Sequence, residues 1–333
     1  MKVKHTPKKV SETTNLVSEQ QVKRPAARYH KSYYMRYLLI SMVAGLVATS
    51  LLHYTYDLRN IASHVKSYAK SKLDISPVDT PSPVLPVARR IIAVGDLHGD
   101  MENTLKTFRM AGIVNEKVEW IAGDSVFVQT GDVVDRGPDT IELYKMMIRL
   151  AKEAREAGGK VFLKITQVLS VLGNHEVMNL MLDWRFVTPE DIDSFGGQEA
   201  REEAWDKNGW LGSYIRKLPI CAWVNGTVFF HGGANPKWAA LGVDGLNKLT
   251  HDGLAKLTSE EMWHYKIFGN DGPLWYRGYA TSQEKSICDI LDEALVGLNA
   301  TRMVIGHTPQ MSGQILSRCS NRVHVIGTFS SDC

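Results

Sequence analysis

Apolar residues along this chain come in short runs that stop at glycine or histidine. Residues 91–94 (IIAV) run into Gly95, 125–130 into Gly131, 161–172 into Gly173, 227–230 into His231 and 303–305 into Gly306. Such runs, bounded by polar, glycine-containing turns, predict buried strands. Between them the apolar spacing changes to a helical period. Residues 101–111 read as a short amphipathic helix. Residues 139–157 place Ile141, Tyr144, Met147, Ile148, Ala151 and Ala154 in helical register before Gly158 and Gly159 stop them. Residues 177–218 read mostly helical, with Thr188 as a cap and Pro189 at the first position of a new helix. A second helical, tryptophan-containing insert precedes Gly272, and 323–326 predict one last strand.

The first 88 residues follow a different pattern. Residues 1–36 carry nine Lys and Arg against Glu12 and Glu19, with no apolar periodicity, which predicts a disordered basic tail. Residues 37–56 contain no Asp, Glu, Lys or Arg. At ~1.5 Å per residue a helix of this length crosses a ~30 Å hydrocarbon core. Tyr33, Tyr34 and Tyr37 at one end and Tyr54 and Tyr56 at the other match interfacial aromatics, so a single transmembrane helix is expected. Residues 57–88 then form a polar stalk and a linker containing Pro77, Pro81, Pro83 and Pro86, and the folded domain is expected over 89–333. The excess of basic residues before the span predicts a cytosolic N-terminus and a catalytic domain in a lumen or outside the cell. The acid-poor tail leaves the mitochondrial inner membrane as the alternative.

Composition narrows the partners. Of 333 residues, 44% are hydrophobic and 23% charged, as in ordinary globular proteins. A net charge of +3 is too small to argue for nucleic acid. The four cysteines, Cys221, Cys288, Cys319 and Cys333, occur singly without CxxC spacing, so a zinc ribbon is not expected and the redox compartment stays open.

The turns that end the strands hold the chemistry. They are GDLHG (95–99), GDVVDRG (131–137), GNHE (173–176), HGG (231–233) and GHT (306–308). Together they offer Asp96, His98, Asp132, Asn174, His231 and His307, six oxygen and nitrogen ligands without a thiolate. Such a set suits two ions of manganese, iron or zinc if one carboxylate bridges them, as phosphate-cleaving two-metal sites require. Asp132 is the natural bridge, with Asp96 and His98 completing one site and Asn174, His231 and His307 the other. Satisfied turn residues would explain each turn alone, since Asp and Asn favour turns, but not three histidines at strand ends.

These motifs, in this order, resemble the phosphoprotein-phosphatase branch of the calcineurin-like metallophosphoesterases. Leu172 before GNHE, the run VMNL (177–180) and GPLWYRG (272–278) resemble its Shewanella-like phosphatases. The resemblance covers roughly residues 90–326. It implies an α/β fold of four layers, a β-sandwich of mixed sheets flanked by helices, with two metals at the strand ends. It also implies His175 as general acid, Asp135 as its orienting partner, and Arg136 and Arg277 as the grip on phosphate. Physical chemistry fits those roles. Two cations lower the pKa of water for in-line attack, an imidazolium protonates the leaving oxygen, and a guanidinium fork binds the remaining oxygens.

The expected activity is that of a phosphomonoesterase acting on phosphoproteins, with serine, threonine or tyrosine left open. Relatives of this scaffold that cleave polyphosphate or dinucleoside polyphosphates give the alternative activity, and a non-catalytic binding protein is a third reading. Substrate choice is expected to depend on the insert between GNHE and HGG, which carries Trp184, and on Tyr276. Two departures from the family stand out. Residues 164–170 add about seven positions before GNHE, and Gly327 stands where the family continues with Asp. The second predicts an incomplete C-terminus, with 323–326 left as an uncovered sheet edge that loosens the site around His307.

Overall fold

The computed structural model describes residues 90–157 and 168–327. The basic tail, the transmembrane span at 37–56 and most of the linker expected before Arg90 lie outside the described residues. So do the start of the expected 161–172 strand and residues 164–167 of the added positions, whose last three residues, 168–170, lie in a described strand. Among the described residues no helix is long and apolar enough to cross a membrane.

In chain order the first half comprises β1 (Ile91–Val94), α1 (Met101–Met110), β2 (Val126–Gln129), α2 (Thr140–Ala157), β3 (Val168–Ser170) and α3 (Asn174–Leu180). The segment expected to be helical continues as α4 (Pro189–Ser194), α5 (Gln198–Trp205) and α6 (Trp210–Ile215). The second half comprises β4 (Cys221–Val224), β5 (Thr227–Phe230), α7 (Gly242–Lys256), α8 (Glu284–Gly297), β6 (Arg302–Ile305), β7 (Leu316–Arg318) and β8 (Val323–Val325). Short helical turns at Pro236–Ala239, Ser259–Trp263 and Gly278–Thr281 interrupt it. The caps follow the sequence. Asp100 accepts the Asn103 N–H at the start of α1, and Thr188 accepts the Asp191 N–H with Pro189 in the first turn of α4.

Two sheets result. β1, β2 and β3 form a parallel sheet, and the second sheet runs β4-β5-β6-β8-β7 with both parallel and antiparallel pairs. The alternation of side chains along a strand decides the layering. Val126 and Val128 of β2 pack with Phe229 of β5 and Val304 of β6 in a core of their own. Phe127, Phe230 and Ile305, one residue out of phase, join the larger cluster with helix residues such as Leu143, Tyr144 and Leu291. The expected sandwich with helices outside it is therefore present. Burial of each such side chain contributes on the order of 1.5–3 kcal/mol.

One expectation is corrected, and one feature was not anticipated. The last strand is not an edge: β8 lies between β6 and β7, hydrogen-bonded to both. β7 was missed because its three residues, LSR, carry one apolar side chain and no alternation. The cysteines are not all single in space either. Cys288 of α8 and Cys319 in the β7–β8 turn form a disulfide, and the Cys319 N–H donates to Glu284 Oε1 at 2.8 Å. This anchors the hairpin beside β6, the strand that delivers His307.

Candidate active site

Five strands end on one spot. β1, β2 and β3 deliver Asp96 and His98, Asp132, and Asn174, while β5 and β6 deliver His231 and His307. The turns brace one another through their backbones. Leu97 and His98 N–H both donate to Asp132 O at 2.8 and 3.0 Å, Gly137 N–H donates to His98 O at 3.0 Å, and Gly306 N–H donates to His231 O at 2.8 Å. Gly99 and Gly137 lie back to back, so a Cβ on either would enter the other's backbone. Left-handed backbone is concentrated in the same place: His98 (φ 47°), Asp132 (57°), Asp135 (69°), Arg136 (69°) and His307 (62°). Each costs on the order of 1–3 kcal/mol and persists because the surrounding turns over-determine it.

All six expected metal ligands come together, and all are buried. Around His231 Nε2 stand Asn174 Oδ1 at 2.8 Å, His307 Nδ1 at 3.1 Å and Asp132 Oδ2 at 3.1 Å. One N–H cannot serve three acceptors, and a cation among these four atoms satisfies them all. The tautomers are set for it. His231 Nδ1 faces Thr130 O at 2.8 Å and His98 Nδ1 faces Val134 O at 3.0 Å, which turns each Nε2 lone pair toward the site. His98 Nε2 lies 3.9 Å from Asp132 Oδ2, so Asp132 stands between the two histidine groups as a bridge must. Asp96 Oδ1 accepts the His307 N–H at 3.1 Å and lines the same cleft.

Electrostatics point the same way. Burial and then Asp132 push Asp96 up to about 6, against the pull of His231. Burial lowers His98 to about 4 and His307 to about 2, so both are neutral imidazoles, the form that ligates. His231 is raised to about 9 against its own burial by Asp132 and Asp96, which marks a place where positive charge is stabilised. The residues fit a pair of metal ions.

His175 stands on the first turn of α3, with Nδ1 2.7 Å from Asp135 Oδ2 and Nε2 3.8 Å from Asp132 Oδ2. Burial disfavours its charge, but Asp132 and Asp135 outweigh burial and raise its pKa above 6.5. Its Nδ1 is engaged by Asp135, which leaves Nε2 as the atom facing the cleft, whereas His98 engages a backbone carbonyl with its Nδ1. Arg136 and Arg277 both line the cleft, and Arg277 Nη1 donates to His307 O at 2.9 Å. The ten expected residues therefore meet at one cleft: eight line it, His231 bonds to Asn174 and His307 among them, and Asp135 stands behind His175.

The calcineurin-like phosphoesterase family matches residues 89–311. The chain belongs to that family. This phosphoesterase is 32% identical over 252 residues to Shewanella-like protein phosphatase 1 of Plasmodium berghei, a match covering 73% of this chain and 67% of that one. It is 37% identical over 248 residues to an uncharacterised protein of Schizosaccharomyces pombe, covering 72% of each. Among solved structures, a cold-active protein-tyrosine phosphatase of a psychrophilic Shewanella species superposes with a TM-score of 0.61 at 25% identity, covering 77% of this chain and 78% of that one. The resemblance to Shewanella-like phosphatases stands, and the phosphoesterase is a metal-dependent phosphatase.

Other residues of the phosphoesterase were not assigned from sequence. Glu176, the last residue of GNHE, is fully buried and accepts N–H bonds from Asp132 (2.9 Å), Val133 (2.8 Å) and Gly173 (2.8 Å). A carboxylate in an apolar-flanked turn was the available signal. Phe186 and Trp275 line the cleft. Tyr276, expected to do so, instead packs edge-on against Tyr279 at 5.0 Å and lies off the cleft wall. Trp184 is also away from the cleft, stacked over the Arg201 guanidinium at 4.7 Å.

Proposed function

We propose that this metallophosphatase acts on phosphoproteins and favours phosphotyrosine over phosphoserine. The observation that carries this reading is the pair of aromatic side chains, Phe186 and Trp275, beside the two arginines in a cleft with the metal ligands at its floor. Arg136 and Arg277 bind the non-reacting phosphate oxygens, and their planar forks fix the ester in one orientation. When bound, the metal ions, manganese, iron or zinc by the His/Asp/Asn donor set, supply Lewis acidity and an activated water for in-line attack. His175, held by Asp135, gives its proton to the leaving oxygen. The ring of a tyrosyl ester then has Phe186 and Trp275 to pack on, whereas a seryl ester reaches neither as well. The solved Shewanella structure carries the name protein-tyrosine phosphatase.

The test compares the manganese-loaded enzyme on phosphotyrosine and phosphoserine peptides, polyphosphate and a dinucleoside polyphosphate. Phosphotyrosine is expected to be the best substrate. An aromatic pair contributes about 0.5–1.5 kcal/mol, so Phe186→Ala and Trp275→Ala should each raise its KM roughly 2–10-fold and leave the phosphoserine KM within twofold. Equal use of both peptides in all three proteins, or faster cleavage of polyphosphate, refutes this reading.

We also propose that the domain works in an oxidising compartment, anchored by the span at 37–56. Disulfides persist in such compartments and are rare in the cytosol, and Cys288–Cys319 is one. Two Asn-X-Thr acceptor sequences, at Asn225 and Asn299, occupy exposed neighbouring turns, where Thr301 N–H donates to Gly226 O at 2.8 Å. In sealed microsomes the phosphatase domain should resist added protease and shift in mass on glycosidase treatment. Protection within mitochondria without a glycan selects the inner-membrane alternative, and digestion without detergent in both preparations eliminates the topology.

A further inference from the structure

Behind His175 a line of buried polar groups runs into the segment between α3 and β4. Asp135 holds His175 Nδ1 with one carboxylate oxygen, and its other oxygen accepts from Asn179 Nδ2 at 2.8 Å. The same Asn179 NH2 group donates to His175 O at 2.9 Å. Asn179 Oδ1 accepts from Arg201 Nη2 at 2.7 Å, and Arg201 Nε donates to Asp191 Oδ2 at 2.9 Å. All five residues are buried, and Arg201 is fully so.

Each link has a chemical direction. A guanidinium only donates, so beside Arg201 the amide of Asn179 must present its oxygen. That orientation leaves the NH2 group for Asp135 and for the His175 carbonyl. With Asn179 on one oxygen and His175 on the other, the carboxylate cannot swing, although Asp135 itself sits in left-handed backbone at φ 69°. Arg201 is fixed in turn by Asp191 and by the faces of Trp184 and Trp205, at 4.7 and 5.3 Å from its guanidinium carbon. Burying a guanidinium is expensive, and an apolar residue of similar volume commonly serves packing as well or better. The cation therefore needs a reason beyond packing, and its position 4.0 Å from Asp135 Oδ1 gives one.

We propose that Arg201, acting through Asn179, is the positioning residue that locks Asp135 and thereby aims His175 at the leaving oxygen. The inference rests on His175 acting as the proton donor. Arg201 lies outside all five ligand-bearing turns, on a helix whose sequence, QEAREEAW, reads as an exposed polar face. Its effect is on the orientation of the acid rather than on binding of metal or phosphate.

A misaimed acid matters only when the leaving group needs a proton. The full chain, purified and manganese-loaded, is assayed on a phosphoserine peptide, whose alkoxide must be protonated, and on p-nitrophenyl phosphate, whose phenolate leaves without help. Two alterations break the line. Asn179→Ala removes the link and leaves the Arg201–Asp191 pair intact. Arg201→Met with Asp191→Leu removes both charges together, which avoids an unpaired buried ion. In each, kcat on the phosphoserine peptide should fall roughly 10–100-fold, part of the ~10²–10⁴ that a general acid contributes. On p-nitrophenyl phosphate the loss should be at least fivefold smaller, with metal content and both KM values unchanged. His175→Asn is the reference. If it lowers both substrates equally, the acid assignment itself fails. If it is selective for the phosphoserine peptide while Asn179→Ala lowers both alike or neither, the positioning role fails alone. Selectivity in Asn179→Ala but not in a folded Arg201/Asp191 double variant removes Arg201 from the line. Should that double variant not fold, Arg201→Gln replaces it, because a neutral amide that can also accept no longer fixes Asn179, and wild-type leaving-group dependence there equally removes Arg201.

Discussion

Asp132→Asn should abolish turnover and release metal, whereas His175→Asn should abolish turnover on alkyl phosphates with metal retained. The two residues are neighbours, with His175 Nε2 3.8 Å from Asp132 Oδ2, yet they do different work. Asp132 faces His98 on one side and His231 on the other, and burial of its charge is overcome by His231 and His175, which hold its carboxyl well below 3.8. Asn in its place removes the negative charge that two ions would share, so occupancy should fall with activity. The loss should exceed ~10³-fold in kcat, with fewer than two ions per chain by elemental analysis. His175 is tied to Asp135 and, as the proposed proton donor, would hold no metal, so its loss should cost ~10²–10⁴-fold while the metal count stays at wild type. The pH profile adds a check. Asp132 and Asp135 outweigh burial and raise the His175 pKa, so its acid form persists to higher pH than that of an ordinary histidine and is lost as pH rises through the raised pKa. The kcat on a phosphoserine peptide should therefore fall on the alkaline side, and His175→Asn should lack that limb. Normal metal content in Asp132→Asn, or full peptide turnover by His175→Asn, would overturn the assignments.

Glu176→Ala should be the most damaging single change outside the ligands and the proton donor. Its carboxylate receives three backbone N–H groups and the Tyr144 hydroxyl at 3.1 Å, all in a site sealed from solvent. Alanine leaves those donors buried without an acceptor, at about 1–3 kcal/mol each. Set against typical stabilities of 5–15 kcal/mol, a total near 4 kcal/mol lowers Tm by the order of 10 °C in a domain this size. Two of the orphaned N–H groups belong to Asp132 and Val133, so the bridge should also shift and metal affinity should fall. Thermal melting with and without added manganese measures both effects. A Tm within 2 °C of wild type, with metal retained, would mean that water replaces the carboxylate and that the role assigned to Glu176 is wrong.

The site was largely legible in the sequence because its parts are local. Each ligand sits within two residues of a glycine at the end of an apolar run, and the strain that demands the glycine is set by neighbours in the chain. Strand–turn spacing therefore carries the information, and the six candidate ligands meet in one place. What was missed is non-local. Cys288 and Cys319 are 31 residues apart, one on a helix and one in a turn, and only the fold makes them partners. β7 has too few residues for a period, and its existence depends on β8 beside it. Arg201 looks like any charge on a polar helix until Trp184, Trp205 and Asn179 are seen around it. The aromatic wall was anticipated in kind but assigned to Tyr276, whose neighbour Trp275 takes the cleft position. Adjacent positions on an irregular turn point in unrelated directions, and no periodicity selects between them.

The ligands are divided unequally between the sheets. Asp96, His98 and Asp132 all hang from the three-stranded sheet, whereas His231 and His307 hang from the five-stranded one and meet Asn174 and Asp132 across the gap. An ion held by Asn174, His231 and His307 would therefore be a rivet through two plates, and one held by Asp96 and His98 would be a weight resting on one of them. Withdrawing the rivet frees the plates to slide, so chelation at that position should loosen the whole sandwich. Withdrawing the other should silence the enzyme and leave its frame intact. The protein's mechanical integrity and its chemistry would thus answer to different ions.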